Sequence, residues 1–543
     1  MDHSTQGTAS AHADPFARDH LPPAELWPEL VFDLPELHYR PRINCVAELL
    51  DRHVAAGDGA RMALASETER WTYAQLQERV DRIANVLRGP IGLVPGNRVL
   101  LRGTNTPLMA AAILAVLKAG LVAVPTMPLL RTREVAAIAA KARVNAVLCA
   151  AALRADLDAV PDLPPVVYFG AVEASQEALE TLETLMAQAP ATFAACDTAA
   201  DDVCLIGFTS GTTGVPKGTM HFHRDVLAIC DCFPRHTLRT QPSDVFIGTP
   251  PLAFTFGLGG LLLFPLRVGA SAVLLERLTP ETLLAAIERH HATVCFTAPT
   301  MYRQMAALAP GHDLSSLRET VSAGEALPAA TREAWQRATG LAMIDGIGST
   351  EMLHIFISAA GSEVRSGATG KPVPGYRACV LDAQGNPVGP GVVGRLAVKG
   401  PTGCRYLADA RQKDYVCNGW NLTGDAYEMD ADGYFHYRAR TDDMIVSAGY
   451  NIAGPEVEDA LLRHPAVAEC GVVGRADDAR GQVVEAHVVL RPGHDATAAL
   501  ETALQDFVKG QIAPYKYPRR VVFATSLPRT ETGKLQRFRL RQP

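Results

Sequence analysis

A loop at residues 208–218 concentrates the residue types that hold a polyphosphate. It follows an apolar stretch, residues 203–208, which predicts a buried strand. Gly211 and Gly214 let backbone N–H groups turn toward an anion, and Lys217 supplies a mobile positive charge. The order of residues differs from the Walker A pattern. Taken alone, the loop fits a phosphate cradle or a flexible surface loop of small residues about equally well.

Three further positions offer groups that could bind a nucleotide. Residues 345–351 form a second glycine-rich stretch, in which Thr350 could bond a phosphate and Glu351 could hold a Mg²⁺. Asp425 follows a predicted glycine turn and could accept hydrogen bonds from two ribose hydroxyls. Arg440 supplies a cation near a predicted domain border. Each stretch alone also fits an ordinary capped or surface turn.

Length and composition exclude several classes of protein. A chain of 543 residues is too long for one hydrophobic core and predicts at least two domains. The net charge of −7 argues against nucleic acid or an anionic membrane as the main partner. The N-terminus carries no secretory pattern and no apolar run has membrane-spanning length, so we expect a cytoplasmic protein. The eleven cysteines lack zinc-ligand spacing and are expected to be reduced thiols.

Strand and helix patterns alternate along residues 71–345, which is typical of a parallel α/β sheet with crossover helices. Thr72 is predicted to cap the first long helix. From about residue 365, frequent glycines and short β runs predict a small antiparallel sheet or barrel. The expected fold class is α/β. A large N-terminal domain of parallel α/β subdomains plus a β-barrel-like subdomain, 1–441, is hinged to a small α+β C-terminal domain, 442–543.

Taken in order, these motifs resemble the adenylate-forming superfamily of acyl- and aryl-CoA synthetases, adenylation domains and luciferases. The resemblance covers nearly all the chain, from residues 71–73 to Lys534, and the 208–218 loop matches the superfamily's phosphate-binding signature almost letter for letter. Within the superfamily, the sequence looks most like benzoate- and 2-aminobenzoate-CoA ligases. That narrower resemblance rests on residues 221–224, 250–257 and 345–356.

The resemblance implies two half-reactions that use ATP, Mg²⁺ and CoA. A carboxylate attacks the α-phosphate of Mg-ATP to give an acyl-AMP and pyrophosphate, and the CoA thiol then displaces AMP. The implied nucleotide-binding residues are Thr209, Ser210, Gly211, Thr212, Thr213, Gly214 and Lys217 at the phosphates, Gly324, Glu325, Ala326, Asp345 and Gly346 around the adenine, Thr350 at the α-phosphate, and Asp425 and Arg440 at the ribose. Glu351 is the implied metal ligand.

The resemblance also implies a mobile C-terminal domain. Lys534 would act with Thr350 and Glu351 as a catalytic residue, because it would reach the carboxylate and the α-phosphate where negative charge concentrates. Asp442 matches the hinge, although a turn cap is an equally simple role for it. Gly449 would line the CoA tunnel, where a side chain would block the passage.

The acid pocket is expected to be a flat slot. The implied lining residues are Phe254, Thr255, Phe256, Phe296, Ala323, Gly324, Gly346, Ile347, Gly348, Leu353 and His354. Aromatic rings with small residues suit a planar acid better than a long chain. Phe254 stands where many relatives have a histidine, which puts any role needing an imidazole there in doubt. An ortho amino group on the ring could donate to His223, Asp231 or His354, each of which also fits a core or helix-surface residue.

The expected activity is conversion of an aromatic carboxylic acid, 2-aminobenzoate or benzoate, to its CoA thioester. No carboxylate lies between residues 250 and 263, where amino-acid-activating relatives place an Asp, so an α-amino acid is disfavoured. A stand-alone adenylation enzyme that loads a carrier protein and a non-catalytic binding relative are the alternatives. The expected partners are the small acid and CoA, without nucleic acid or membrane, and a homodimer is left open.

Overall fold

The computed structural model describes residues 8–170, 181–209, 216–441, 443–447, 450–477, 480–529 and 535–542. One sheet of the described chain has six strands, and all neighbours are parallel except the last pair. In spatial order these strands are Val166–Phe169, Ala146–Ala150, Arg98–Arg102, Val122–Thr126, Val203–Thr209 and Lys217–Phe222. Its two middle strands, Arg98–Arg102 and Val122–Thr126, are buried along their whole length, as expected for a sheet covered on both faces.

A second sheet of the described residues has nine strands, parallel at its centre and antiparallel at both edges. In spatial order they are Lys371–Pro372, Ile355–Ser358, Ile344–Gly348, Glu319–Ala323, Val294–Thr297, Val245–Gly248, Ser271–Val273, Met62–Ala65 and Arg70–Thr72. The carboxyl ends of parallel strands meet at one edge of a sheet, which is where ligands of α/β proteins bind. Residues 324–326 and 349–351, which follow two neighbouring strands, are therefore brought to that edge.

Helices connect and cover these strands. Their bounds are Phe16–Asp19, Arg52–Ala55, Tyr73–Arg88, Pro107–Lys118, Thr132–Ala142, Arg154–Asp158, Leu182–Gln188, His223–Asp231, Thr255–Leu258, Phe264–Val268, Pro280–His290, Pro299–Leu308, Ala329–Thr339, Gln412–Tyr415, Gly454–Leu462, Ala498–Gln511 and Arg537–Leu540. The predicted cap is confirmed: Thr72 Oγ1 accepts from the Gln75 amide at 3.3 Å, while the Gln75 side chain accepts from the Thr72 amide at 3.0 Å. This reciprocal pair fixes where the first long helix begins.

The predicted small antiparallel sheet is present and has five strands among the described residues. They are Arg377–Leu381, Val393–Lys399, Val416–Cys417, Trp420–Met429 and Phe435–Arg440. The prediction of a turn before Asp425 is wrong, because the strand Trp420–Met429 continues through this point, with a bulge between Leu422 and Ala426. Gly424 adopts φ +77°, a conformation that glycine allows at little cost, so the chain kinks there without leaving the sheet.

The C-terminal part forms its own α+β unit. Its sheet consists of Tyr450–Ile452, Ile445–Ser447, Gly481–Leu490, Val467–Asp477 and Arg520–Phe523. This unit touches the rest of the chain through polar contacts, such as Arg463 with Glu333 at 3.5 Å and the Ala330 amide with Asp459 at 3.3 Å. The boundary at residue 442 stays a prediction, since Asp442 lies outside the described residues.

The structure shows the state of the cysteines and the character of the helices. All eleven cysteines lie among the described residues and none forms a disulfide, which confirms the prediction of free thiols. Along the described ranges, none of the helices combines the length and the apolar character needed to cross a membrane.

A buried lysine provides a test of the packing between the helices Tyr73–Arg88 and Pro107–Lys118. Lys118 is 1% exposed, and its ammonium lies 2.7 Å from Asp51 and 2.5 Å from Asp81. We expect Lys118→Met to lower the free energy of unfolding by about 3–5 kcal/mol, because it leaves buried carboxylates without a cation. Urea unfolding of both proteins measures the change.

The matched control is Lys509→Met, which removes a solvent-exposed pair with Asp506 at 2.9 Å. Exposed pairs contribute about 0–1 kcal/mol, so this variant should stay within about 1 kcal/mol of the parent. Equal losses in the two variants would contradict the importance of the buried pair.

Candidate nucleotide and acid site

Lys217 and Glu351, predicted from distant stretches of sequence, meet in the structure. Lys217 begins the last strand of the six-stranded sheet, and its Nζ lies 3.9 Å from Glu351 Oε1. The phenol of Tyr406 joins them: it donates to Glu351 Oε1 at 2.6 Å and accepts from Lys217 Nζ at 3.0 Å. A phosphate-binding cation and a carboxylate suited to Mg²⁺ are therefore held side by side.

Thr350 packs directly against the strand that enters the phosphate loop. A Cβ on Gly207 would lie only 2.8 Å from Thr350 Cγ2, so this approach needs a glycine. His221 Nε2 lies 2.8 Å from the Thr350 carbonyl oxygen and ties the two segments together. Thr209 Oγ1 is buried without a hydrogen-bond partner in the described residues. A buried hydroxyl without a partner is costly, so this atom suits a ligand phosphate.

The residues expected at the ribose form a cross-strand pair. Asp425 and Arg440 are direct partners on neighbouring antiparallel strands, and Arg440 Nη1 lies 3.3 Å from Asp425 Oδ1. Gly424 is favoured here, because its φ of +77° is a conformation that other residues rarely adopt. The carboxylate is thereby fixed within the sheet and can accept hydrogen bonds from hydroxyl groups.

The segments expected around the adenine lie at the edge of the nine-stranded sheet. Gly324 has φ +91°, and Glu325 accepts from Thr300 Oγ1 at 2.7 Å. Asp345 sits in a recess where burial raises its pKa to about 7, despite the opposing effect of Arg332. This carboxyl therefore changes protonation near neutral pH.

The predicted acid slot is an aromatic cluster around His354. The ring centroid of His354 lies 4.4 Å from that of Phe264, 5.8 Å from Phe256 and 6.4 Å from Phe296. Gly259 and Gly260 form the adjoining backbone in a π-helical turn, Gly259–Leu263. Added Cβ atoms there would lie 2.4 Å from His354 and 2.6 Å from Phe296, so the rings rest directly on the backbone.

His354 is a neutral polar group in this apolar surrounding. It is 2% exposed, and burial lowers its pKa to about 3, so the imidazole is uncharged at neutral pH. The Phe256 backbone partly opposes this lowering of the pKa, although within the described part of the chain neither ring nitrogen forms a hydrogen bond of normal geometry. Buried polar atoms are normally satisfied, so an unpartnered imidazole among aromatic rings suits a polar group on a bound ligand.

Two of the three suggested acceptors for an amino group, His223 and Asp231, have partners within the protein. His223 Nδ1 lies 3.2 Å from Cys45 Sγ and close to Cys204, in a contact that holds the strand Val203–Thr209. Asp231 is paired with Arg267 through both carboxylate oxygens at 2.9 Å. His223 Nε2 also lacks a hydrogen-bond partner in the described residues, so the choice of acceptor stays a prediction, and the position of His354 among the phenylalanine rings favours it.

Several expected residues lie outside the described residues: Ser210, Gly211, Thr212, Thr213, Gly214, Asp442, Gly449 and Lys534. The remaining predicted pocket residues lie near the ends of strands and helices. Phe254 precedes the helix Thr255–Leu258 and is half-buried, while Ala323, Ile347, Gly348 and Leu353 lie in or beside the strands Glu319–Ala323 and Ile344–Gly348. Leu353 has φ +69°, which turns the chain between Glu351 and His354.

Comparison with known proteins agrees with this arrangement. The profile of the AMP-binding enzyme family matches residues 51–406, and that of its C-terminal domain matches residues 456–534. The chain belongs to the AMP-binding enzyme family. The resemblance inferred from the motifs, in order from the phosphate loop to the tail, is thereby confirmed.

Named members of the family align along almost the whole chain. The benzoate–CoA ligase of Thauera aromatica is 37% identical over 520 residues, covering 93% of this chain and 97% of its own. The crystal structure of the anthranilate CoA ligase AuaEII in complex with anthranoyl-AMP has a TM-score of 0.87 at 33% identity, covering 94% and 98%. A benzoate CoA ligase from Burkholderia xenovorans LB400 has a TM-score of 0.83 at 33% identity, covering 92% and 100%. The predicted α/β fold class is confirmed.

In this AMP-binding enzyme, some residues that hold the site residues in place carry no motif that predicts them. Tyr406 follows a glycine-containing segment and carries no motif of its own. Lys141 donates to the Pro216 carbonyl at 3.0 Å and pairs with Asp409 at 2.7 Å, which anchors the end of the phosphate loop. Their partners are distant in sequence, so only the fold reveals them.

The buried carboxyl of Asp345 predicts a pH-dependent stability. Its pKa is raised from 3.8 to about 7, so the folded protein binds a proton there that the unfolded chain has released. Stability is therefore lost as the pH rises from about 4 to 7 and then levels off. We expect Asp345→Asn to raise the thermal midpoint more at pH 8 than at pH 4, as measured by calorimetry. A difference that does not change with pH would contradict this assignment.

Proposed function

We propose that this protein activates an aromatic carboxylic acid with Mg-ATP and transfers the aryl group to CoA, releasing AMP and pyrophosphate. The main support for the proposal is that one short segment, residues 351–354, contributes both to the charged group around Lys217 and to the aromatic cluster. Glu351 contacts Lys217 through Tyr406, and three residues later His354 enters the aromatic cluster. A carboxylate attached to a ring in that cluster would lie beside the nucleotide phosphates.

The first half-reaction follows from how the charges are arranged. A carboxylate oxygen of the acid attacks the α-phosphorus, a P–O bond forms, and the bond to pyrophosphate breaks. Lys217 neutralises phosphate charge, and the Thr350 hydroxyl can donate to an α-phosphate oxygen. Glu351 is 7% exposed and presents the hard carboxylate oxygen that Mg²⁺ prefers, so it fits a metal ligand. Mg²⁺, when bound, supplies charge neutralisation at the phosphates.

The second half-reaction is assigned by similarity to the family. The CoA thiol attacks the carbonyl carbon of the aryl-AMP, a C–S bond forms, and AMP leaves with the C–O bond electrons. Asp442 is proposed as the hinge for the movement between the steps, and Gly449 as part of the thiol passage. The names of the benzoate and anthranilate CoA ligases favour CoA over a carrier protein as acceptor.

The pocket favours 2-aminobenzoate or benzoate as the acid. The rings of Phe256, Phe264 and Phe296 offer flat apolar contacts. An aromatic amino group is uncharged at neutral pH, and the neutral His354 imidazole can accept a hydrogen bond from it. The deciding experiment is a panel of benzoates and straight-chain acids with ATP, Mg²⁺ and CoA, scored by kcat/KM. A preference for hexanoate or octanoate over all benzoates would overturn the proposal.

His354 should discriminate between the two favoured acids. We expect His354→Phe to lower kcat/KM for 2-aminobenzoate at least about tenfold, with less than about threefold change for benzoate, because only the amino group loses a partner. Phe256→Leu is the control, since loss of ring contact should weaken both acids alike. Equal effects of His354→Phe on the two acids would show that the imidazole ring only fills space in the pocket.

Lys534 should act in the first half-reaction alone. We expect Lys534→Ala to slow formation of the aryl-AMP by about 10²–10³, because one preorganised charge at the transition state is lost. Conversion of supplied aryl-AMP and CoA to the thioester should stay within about threefold. Rapid-quench measurement of each step tests this, with the exposed Lys509→Ala as control. Equal loss in both steps would contradict the division of labour.

A further inference from the structure

The phenol of Tyr406 occupies an unusual position between two charged groups. Tyr406 is fully buried, yet the hydrogen bonds of its hydroxyl go to Glu351 and Lys217, the carboxylate and the cation of the proposed phosphate site. The Lys217 ammonium also lies 4.9 Å from the centroid of the Tyr406 ring. A phenylalanine would fill the same space, so the hydroxyl itself must account for the choice of tyrosine.

The backbone around Tyr406 is fixed to the strand that begins at Lys217. Leu407 donates its amide to the Gly218 carbonyl at 2.8 Å, and Met220 donates to the Arg405 carbonyl at 2.8 Å. The Tyr406 amide donates to Gln412 Oε1, also at 2.8 Å. These bonds fix the position of the Tyr406 ring relative to Lys217.

A second tyrosine fixes the ring from the side of the 349–351 turn. Tyr415 meets Tyr406 edge to face, with centroids 5.8 Å apart and planes at 70°. The Tyr415 hydroxyl lies 3.4 Å from Ser349 Oγ, two residues before Glu351. The phenol is therefore held by both segments that it joins.

We propose that Tyr406 is a positioning residue that orients the Glu351 carboxylate for Mg-ATP, while the bond from Lys217 fixes the phenol hydroxyl. The inference rests on the proposed function. The hydrogen bond to Oε1 sets the orientation of the carboxylate plane and hence the direction of Oε2, the oxygen left to face a metal ion. The same hydroxyl bonds to both groups, and Lys217 Nζ stays 3.9 Å from Glu351 Oε1, beyond direct hydrogen-bond distance. Groups that orient a metal ligand typically affect metal affinity about 10–100-fold.

The test is Tyr406→Phe, which keeps the ring and removes only the hydroxyl. We measure Mg-ATP binding by calorimetry without acid or CoA, so that the outcome does not depend on which acid the protein uses. The dissociation constant for Mg-ATP should rise about tenfold, while that for ATP in EDTA should change less than about threefold. In a Glu351→Gln background, Tyr406→Phe should add less than about threefold, because its main target is gone.

The matched control is Tyr73→Phe. Tyr73 is also fully buried, and its hydroxyl donates to the Ala270 carbonyl at 2.7 Å, outside the proposed site. It should lower the thermal midpoint without changing Mg-ATP affinity. The proposal is overturned if Tyr406→Phe binds Mg-ATP like the parent, if ATP in EDTA is weakened as much as Mg-ATP, or if the effect persists in full beside Glu351→Gln. If Mg-ATP binds as expected but no aryl acid reacts, the proposed function fails and the positioning role stands.

Discussion

The hydrogen-bond chain from Lys217 through Tyr406 to Glu351 links the two large sheets, beside the bond between His221 and the Thr350 carbonyl. Lys217 belongs to the six-stranded sheet, and Glu351 follows a strand of the nine-stranded one. Opposite charges brought this close could pair directly and become unavailable to a ligand. A phenol between them satisfies both groups and keeps them apart, so the site is organised before a nucleotide arrives.

The proposed nucleotide and acid sites are joined by one short segment. The chain turns at Leu353, so Glu351 lies beside Lys217 while His354 packs among the phenylalanines. Glycines let the rings rest on the backbone of the π-helical turn Gly259–Leu263. In the proposed function, the reacting carboxylate would lie between this aromatic cluster and the charged pair of Lys217 and Glu351, close to the nucleotide.

Sequence patterns predict the strands and helix caps that depend on residues close together in the chain. The strand before the phosphate loop and the Thr72 cap follow from an apolar run and a capping residue. The glycine at position 424 predicts a turn at Asp425. In the structure Asp425 instead pairs with Arg440 on the neighbouring strand, so strand pairing outweighs the turn preference of the glycine. Tyr406 could not be found, because its partners lie 55 and 189 residues away and carry no spacing signature.

The proposed function depends on formation of an aryl-AMP from the aromatic acid and ATP. Exchange of labelled pyrophosphate into ATP, in the absence of CoA, reports that step alone. We expect rapid exchange that requires 2-aminobenzoate or benzoate together with Mg²⁺, and much slower exchange with octanoate. Exchange that is absent with every aryl acid, or that is supported best by octanoate, would contradict it.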